Sequence, residues 1–310
     1  MSDLDKQRVE HQARQHDGGT GTPSRYGDAV NRYLSAVAYR EREPLPEPVS
    51  EVAAAKPRAG VVVVGVDETP TSYTAVDHAA IEAELRGWDL RLVHAQRAGV
   101  DRYPARDVGA RLLQRMTDRV HAYSPSVAVT SRIVIGPAVA PLLLSDAHDA
   151  NLLVVGHRHN SVGTAFGLSV GDRVAAHDTG PVLVVRVPGW PPGPDFGVRP
   201  VVVGVDDSPV TKQVVDFAID AARLRGSDLI ILHAGGAEAA PEAHLEESDG
   251  VRIHRRVVTG DPVPALITAS ENASAVVVGR RGMDGILGAL LGSVSRAMVQ
   301  HARCPVFLVG

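Results

Sequence analysis

The 310-residue chain is 44% hydrophobic and 22% charged, the balance of a folded globular protein long enough for two domains. Its formal net charge of −4 argues against sequence-independent nucleic-acid binding, which calls for a basic stripe. No apolar leader opens the chain and no apolar run approaches the length of a membrane span, so a cytoplasmic protein without membrane insertion is expected; the single cysteine, Cys304, excludes an internal disulfide and fits a reducing compartment.

Residues 1–58 begin polar and stand apart from the remainder of the chain. Within them Tyr26, Val30, Tyr33, Leu34, Val37 and Ala38 fall on one helical stripe, so SRYGDAVNRYLSAVAYRERE is expected to form an amphipathic helix. Its polar face mixes acids with arginines, which favours docking on its own chain or on a second subunit over a membrane surface. A Val-rich strand is expected at 61–66, then a helix at about 71–87 closed by Gly87, a second strand at 90–95, a helix at about 105–122 and a third strand before Gly136. Apolar runs at 151–156 and 180–185 supply two more strands. The segment VPGWPPGPDFGVRP, 187–200, is too rich in Pro and Gly to carry regular structure far and reads as a linker.

After the linker the pattern returns. Residues 201–234 align without a gap on residues 62–95 with about half of the positions identical, which points to duplication. The later parts match too: IVIGPAVAPLL (133–143) with VVTGDPVPALI (257–267), NLLVVG (151–156) with SAVVVG (274–279), and GPVLVV (180–185) with CPVFLV (304–309). The second copy thus repeats a strand at 201–205, a helix at 210–226 with Val214, Val215, Ala218, Ala221, Ala222 and Leu224 on its apolar face, Gly226, and a strand at 229–234. Five short strands apolar on both faces, alternating with helices, specify a doubly wound α/β unit with right-handed crossovers, here present twice. The expected organisation is an N-terminal extension (1–58), a first domain (59–187), a linker (188–199) and a second domain (200–310). One asymmetry stands out: GGAEAAPEAHLEESDG (235–250) is too short for the helix of the first copy and is read as a shortened helix or an acidic loop.

In such sheets ligands bind outside the carboxyl ends of the strands where the winding reverses. With strand order 3-2-1-4-5 that crevice lies between strands 1 and 4, and in the second copy it sets Asp206 opposite Gly279. The loop after Gly279 reads G-x2-G-x9-G-S, with Gly282, Gly292 and Ser293 ahead of a helix beginning SVSRAMVQHA. Glycines admit close backbone approach, exposed amides cradle phosphate oxygens, and a helix N-terminus adds partial positive charge. The Ser293 hydroxyl and either Arg280 or Arg281 could add further polar contacts. A tight connection would use the same glycines, but this placement favours a phosphate-bearing ligand. The GxxxxGK phosphate loop and the GxGxxG dinucleotide fingerprint are both absent.

VVVGVDDSP, the VVVG that ends strand 4, G-x2-G-x9-G-S and the closing CPVFLV together resemble the universal stress protein family in a tandem form, over roughly residues 60–310. That resemblance implies an ATP-binding α/β domain with the five-stranded parallel sheet in order 3-2-1-4-5. It places Asp206 by the nucleoside, Ala234 at the adenine, and Gly279, Gly282, Gly292, Ser293 and Val294 around ribose and phosphates. Mg²⁺ would accompany the phosphates. It also implies pairing of final strands, so that 182–187 and 306–309 would join as an intramolecular pseudo-dimer or serve a homodimer.

The first copy keeps Asp67 and Gly156 but departs from the loop. Direct spacing puts His159 and Ser169 where Gly282 and Gly292 stand; alignment on Pro181 matches Ser169 and Val170 to Ser293 and Val294. Weak or absent ATP binding is expected there. His157, His159 and His177 lack cysteines or a clear carboxylate partner, so no metal site is expected, and His94 and His233 read equally well as histidines bonded at the sheet edge. No catalytic residue is assigned. The leading functional expectation is a nucleotide-dependent sensor or regulator acting through an unidentified protein partner; the alternatives are a slow ATPase or phosphotransferase, and a nucleotide-free interaction module.

Overall fold

A computed structural model describes residues 24–39, 60–97, 105–157, 170–178, 180–186, 195–235, 244–280 and 291–310. In chain order these form α1 (Arg25–Tyr39), β1 (Val61–Gly65), α2 (Pro70–Arg86), β2 (Asp89–Arg97), α3 (Ala105–Tyr123), β3 (Val129–Gly136), α4 (Val139–Asp146), β4 (Leu152–His157), α5 (Val170–His177) and β5 (Val182–Arg186). After a 3-10 turn at Phe196–Val198 come β6 (Val201–Val205), α6 (Thr211–Arg225), β7 (Leu229–Gly235), β8 (His244–Ser248), β9 (Val251–Thr259), α7 (Pro262–Ser270), β10 (Ala275–Gly279), α8 (Ser293–His301) and β11 (Val306–Val309). No described helix is long and apolar enough to cross a membrane.

All eleven strands lie in one sheet of order β3-β2-β1-β4-β5-β11-β10-β6-β7-β9-β8. Each half therefore carries five parallel strands in order 3-2-1-4-5. Val62–Val64 and Val276–Val278 are at most 2% exposed, buried between helices on both faces. Sealing each such side chain from water contributes about 1.5–3 kcal/mol, which is why uninterrupted Val runs occupy the centre of the sheet. The helices after the first strands end alike: Gly87 and Gly226 have φ of 66° and 63°, and Trp88 N–H donates to Ala83 O while Ser227 N–H donates to Ala222 O. Only glycine takes that left-handed turn without strain.

The second half departs from expectation at 244–250, residues 236–243 lying outside the described residues. The segment ends neither in a helix nor in a plain loop: β8 runs antiparallel beside β9, adding a sixth strand to that half. Ser248 pairs with Val251 around Asp249 and Gly250, whose φ of 52° and 77° make the two-residue turn that matches the strands' twist. The acidic residues Glu246 and Glu247 lie on this edge strand, where charge discourages pairing with another chain.

The halves join through β5 and β11, antiparallel, with Leu183 opposite Phe307. These two residues are equivalent in the repeat, so a pseudo-twofold axis passes between them. Helices α2 and α6 flank that axis on one face. Between them the buried Glu82 carboxylate receives Arg225 from the other half and Arg86 at 3.2 Å, and Arg86 also reaches Asp220 at 3.2 Å. Burial alone would depress the Arg225 guanidinium, but the Glu82 charge, Tyr26 and the hydrogen bonds to both together outweigh it and hold the guanidinium more basic than usual. Phe217 packs on Phe307 with ring centroids 5.2 Å apart.

Helix α1 closes this face. Tyr26, Ala29, Val30 and Tyr33 are buried, and the Tyr26 ring lies 4.8 Å from the Arg225 guanidinium carbon. Arg32 donates to Tyr123 O at 2.9 Å and pairs with Glu84 at 2.5 Å; Tyr33 Oη donates to Ser124 Oγ at 3.2 Å. At the other end Gly27 crosses Gly197 so closely that a Cβ on Gly197 would lie 2.6 Å from the Gly27 Cα. The helix thus docks on its own chain, touching the first half, the linker and the second half; the side chains of Leu34, Val37 and Ala38 lie outside the described residues.

The seam carries two expected outcomes. Glu82→Ala, which installs the residue found at the equivalent position 221, leaves Arg225 buried beside no full counter-charge and should cost about 3 kcal/mol or more in urea unfolding; a loss under about 1 kcal/mol would show that the pair does not hold the halves. His78, buried in the same layer, is lowered from 6.5 to about 3 by desolvation and then by the Arg225 charge. A base depressed in the fold binds its proton more readily when unfolded, so stability is full above pH 6.5 and falls as the pH drops towards 3. Between pH 6.5 and 5 the loss should be roughly 2 kcal/mol, and His78→Phe, the residue at equivalent position 217, should remove that slope.

Candidate functional site

The crevice lies where β6 and β10 run side by side, their register pairing Val201–Val203 with Ala275–Val277. Asp206 follows β6 directly. Its Oδ1 accepts from Ser208 N–H at 3.1 Å and from Thr211 Oγ at 3.2 Å, fixing the carboxylate in the turn that leads into α6. Asp67 is held in the same way, its Oδ1 accepting from Thr69 N–H at 2.9 Å. Short Ser and Thr side chains just after a strand-ending Asp are thus the local reason for this orientation in both halves.

Across the crevice Gly279 ends β10. The carbonyl of the next residue, Arg280, accepts from Gly292 N–H at 3.1 Å and from Ser295 Oγ at 2.8 Å, which brings the start of α8 back to the strand end. Gly292 is the N-cap of α8 in an extended conformation (φ −59°, ψ 163°), and no side chain among the described residues caps the helix there. The first-turn amides at Ser293 and Val294 carry the partial positive charge of a helix N-terminus. Ala234 lies at the end of β7, opposite Val258 of β9. The structure so brings Asp206, Gly279, Gly292, Ser293 and Val294 to the carboxyl end of neighbouring strands; Gly282 lies outside the described residues.

In the first half Gly156 is the last residue but one of β4, and a Cβ there would lie 2.8 Å from Thr71 Cγ2 and 3.2 Å from Thr71 O. This glycine admits the close passage of α2 across the strand end. Val170 opens α5 and is 42% exposed. Ser169 and His159 lie outside the described residues.

Arg280 does not supply charge to the crevice. It is 3% exposed, and its Nη2 donates to Gly180 O in the first half, so the guanidinium is committed to the seam. His94 is bonded at the sheet edge: Nδ1 lies 2.8 Å from Val66 O and Nε2 lies 3.0 Å from Gln96 Nε2. With the Gln96 amide in this orientation its nitrogen donates to Nε2 while Nδ1 donates to the Val66 carbonyl. His233 lies 3.9 Å from Asp207. Among the described residues no group of three or more His, Cys, Asp or Glu is placed to hold a metal.

Sequence reasoning missed two residues that position the site. Ser295, buried, ties the helix to the strand end, and the Arg280 side chain ties that strand end to the other half. Neither has a local signal, because each acts on a backbone carbonyl distant in sequence. Ser295→Ala should cost about 1 kcal/mol in chemical unfolding, the contribution of one buried hydrogen bond, with the lost protection concentrated in α8 by amide exchange; unchanged exchange in α8 would show that the Gly292 bond alone suffices.

The universal stress protein family matches residues 59–186, 197–249 and 236–310. Two proteins of Mycobacterium tuberculosis are similar along most of their length. Universal stress protein Rv2623 is 32% identical over 287 residues, covering 80% of this chain and 95% of its own, and Universal stress protein Rv1996 is 29% identical over 299 residues, covering 80% and 94%. Among solved structures, a universal stress protein from Archaeoglobus fulgidus superposes with a TM-score of 0.63 at 16% identity, covering 81% of this chain and 96% of its own.

Proposed function

The chain belongs to the universal stress protein family, and from that premise we propose that its second half, residues 200–310, binds ATP with Mg²⁺ and that the chain acts as a nucleotide-dependent regulator. The observation that carries this reading is the start of α8: a glycine-capped helix N-terminus with no side-chain cap among the described residues, held at the strand ends across from Asp206. Such an end presents backbone donors and partial positive charge to phosphate oxygens. Gly292, Ser293 and Val294 would face the phosphates with Gly279 and Gly282 giving backbone room, Asp206 would bond the ribose, and Ala234 would line the adenine. Mg²⁺ would arrive with the phosphates it bridges. Binding asks only for these donors and this carboxylate, so a regulatory role is favoured over turnover.

In the first half Asp67 and Gly156 are in place, but Ser169 and Val170 stand in for the glycine-serine step. Gly156 is already used for the close contact with Thr71. We therefore assign nucleotide to the second half alone. Denaturing the purified chain and identifying released nucleotide by mass should give about one ATP per chain, and the Gly282→Ala, Gly292→Ala variant should bind at least about tenfold more weakly by calorimetry, the loss expected when phosphate-contacting backbone is displaced. Two nucleotides per chain would overturn the single-site assignment, and none after incubation with MgATP would overturn the nucleotide reading.

A further inference from the structure

The repeat itself shows what the described residues of the second half lack. In the first half α3 lies over α2 and touches three positions. Arg119 meets Asp77 through two bonds, 2.6 and 2.7 Å, in a buried pair; Arg115, one turn earlier, lies 3.6 Å from Glu68; and Gly109 approaches His94 so closely that a Cβ would lie 2.9 Å from the ring. The equivalent positions of the second half are Asp216, Asp207 and His233, so both acids and the histidine are kept. No helix among the described residues covers them, because β8 extends the sheet edge where the first half has its crossover helix.

One of the two acid positions differs sharply in exposure. The Asp77 side chain is 4% exposed, whereas that of Asp216 is 58% exposed beside Lys212 of its own helix; Glu68 and Asp207 both lie at the rim, 64% and 83% exposed. Asp216 and Ile219 line a shallow groove of about 320 Å³ together with Asp220, Arg223 and Asp249 of the hairpin turn, three acids to one arginine. On the first half, the corresponding seat receives a helix whose Leu112, Met116 and Val120 are fully buried and whose arginines, four residues apart, meet the two acids.

We propose that this face of α6 and of the turn before it, from Asp207 to Ile219, docks an amphipathic helix of a protein partner that carries arginines four residues apart, seated as α3 is seated on the first half. The acids match the arginines in register, because Asp207 and Asp216 stand where Glu68 and Asp77 stand. Ile219 supplies an apolar contact where the first half has only Ala80, so the seat can gain apolar burial as well as charge pairing. The site does not depend on nucleotide, and its failure leaves the nucleotide reading untouched.

The probe is a synthetic peptide of residues 105–123, end-capped and lactam-stapled on its solvent face because an isolated helix of this length is marginal in water. Added to the full chain, it meets a first half whose own seat α3 already fills. Fluorescence anisotropy at low salt should show saturable binding that weakens at least about fivefold with Asp207→Asn, Asp216→Asn in the protein, and by a similar factor with Arg115→Gln, Arg119→Gln in the peptide. Thermal unfolding of the doubly substituted protein should be unchanged. Binding insensitive to both charge changes, or none at about 1 mM peptide, overturns the proposal. So does self-association of the full chain that the same acid substitutions abolish, which gives the face to a second copy.

Discussion

The structure depends on one contact, the antiparallel pairing of β5 with β11 around Leu183 and Phe307. Parallel strands need a crossover connection, so two doubly wound units cannot share a sheet through their own winding; an antiparallel join of their last strands needs none. Once made, it turns two five-strand patterns, the second extended by β8, into one eleven-stranded sheet and removes an open edge from each half. It also brings α2 and α6 together across the axis, which creates the layer that α1 then covers.

That layer is where the copies have become unlike. Arg86 and Arg225 are equivalent, as the axis requires, but their acids are not: Glu82 stands opposite Ala221 in the repeat and Asp220 opposite Ile81. The two acids and their arginines form one network in which Glu82 serves Arg86 and Arg225, and Asp220 serves Arg86 and Arg223 of its own helix. A buried charge left without its partner is costly, so these substitutions fit each half to the other. Tyr26 adds to the asymmetry, since a single helix near a twofold axis can lie over only one of two equivalent arginines.

Much of this was legible in the sequence, for identifiable reasons. The Val runs, Gly87 and Gly226 report local demands, double-sided burial and a left-handed helix end, so they appear wherever the chain is read. The repeat multiplies the evidence and also exposes departures from it. The hairpin at 244–259 was legible in principle, because Asp249-Gly250 is a two-residue hairpin signal, but an acidic stretch in the place of a lost helix masks it. The seam was not legible: Glu82 and Arg225 are 143 positions apart and each alone looks like an ordinary helix-surface charge. At the crevice the glycines and Asp206 could be read from spacing, whereas the commitment of Arg280 to Gly180 could not, since neither residue marks the other.

Arg280 also explains why a half with a degenerate loop is not merely a spare. Its amide donates to Val309 O, its carbonyl accepts from Gly292 and Ser295, and its guanidinium reaches Gly180 of the other half. One residue therefore fixes the end of β10, the start of α8 and the approach to β5. The orientation of the α8 N-terminus is set partly by the position of the first half, because any shift of Gly180 must be borne by a buried side chain with no room to move. At the same axis Arg186 donates to Ala302 O at 3.0 Å, so the bracing runs in both directions. A duplicated half can then lose its own loop pattern and still be retained, because its last strand and the turn before it are part of the frame in which the other half's strand ends and helix are held.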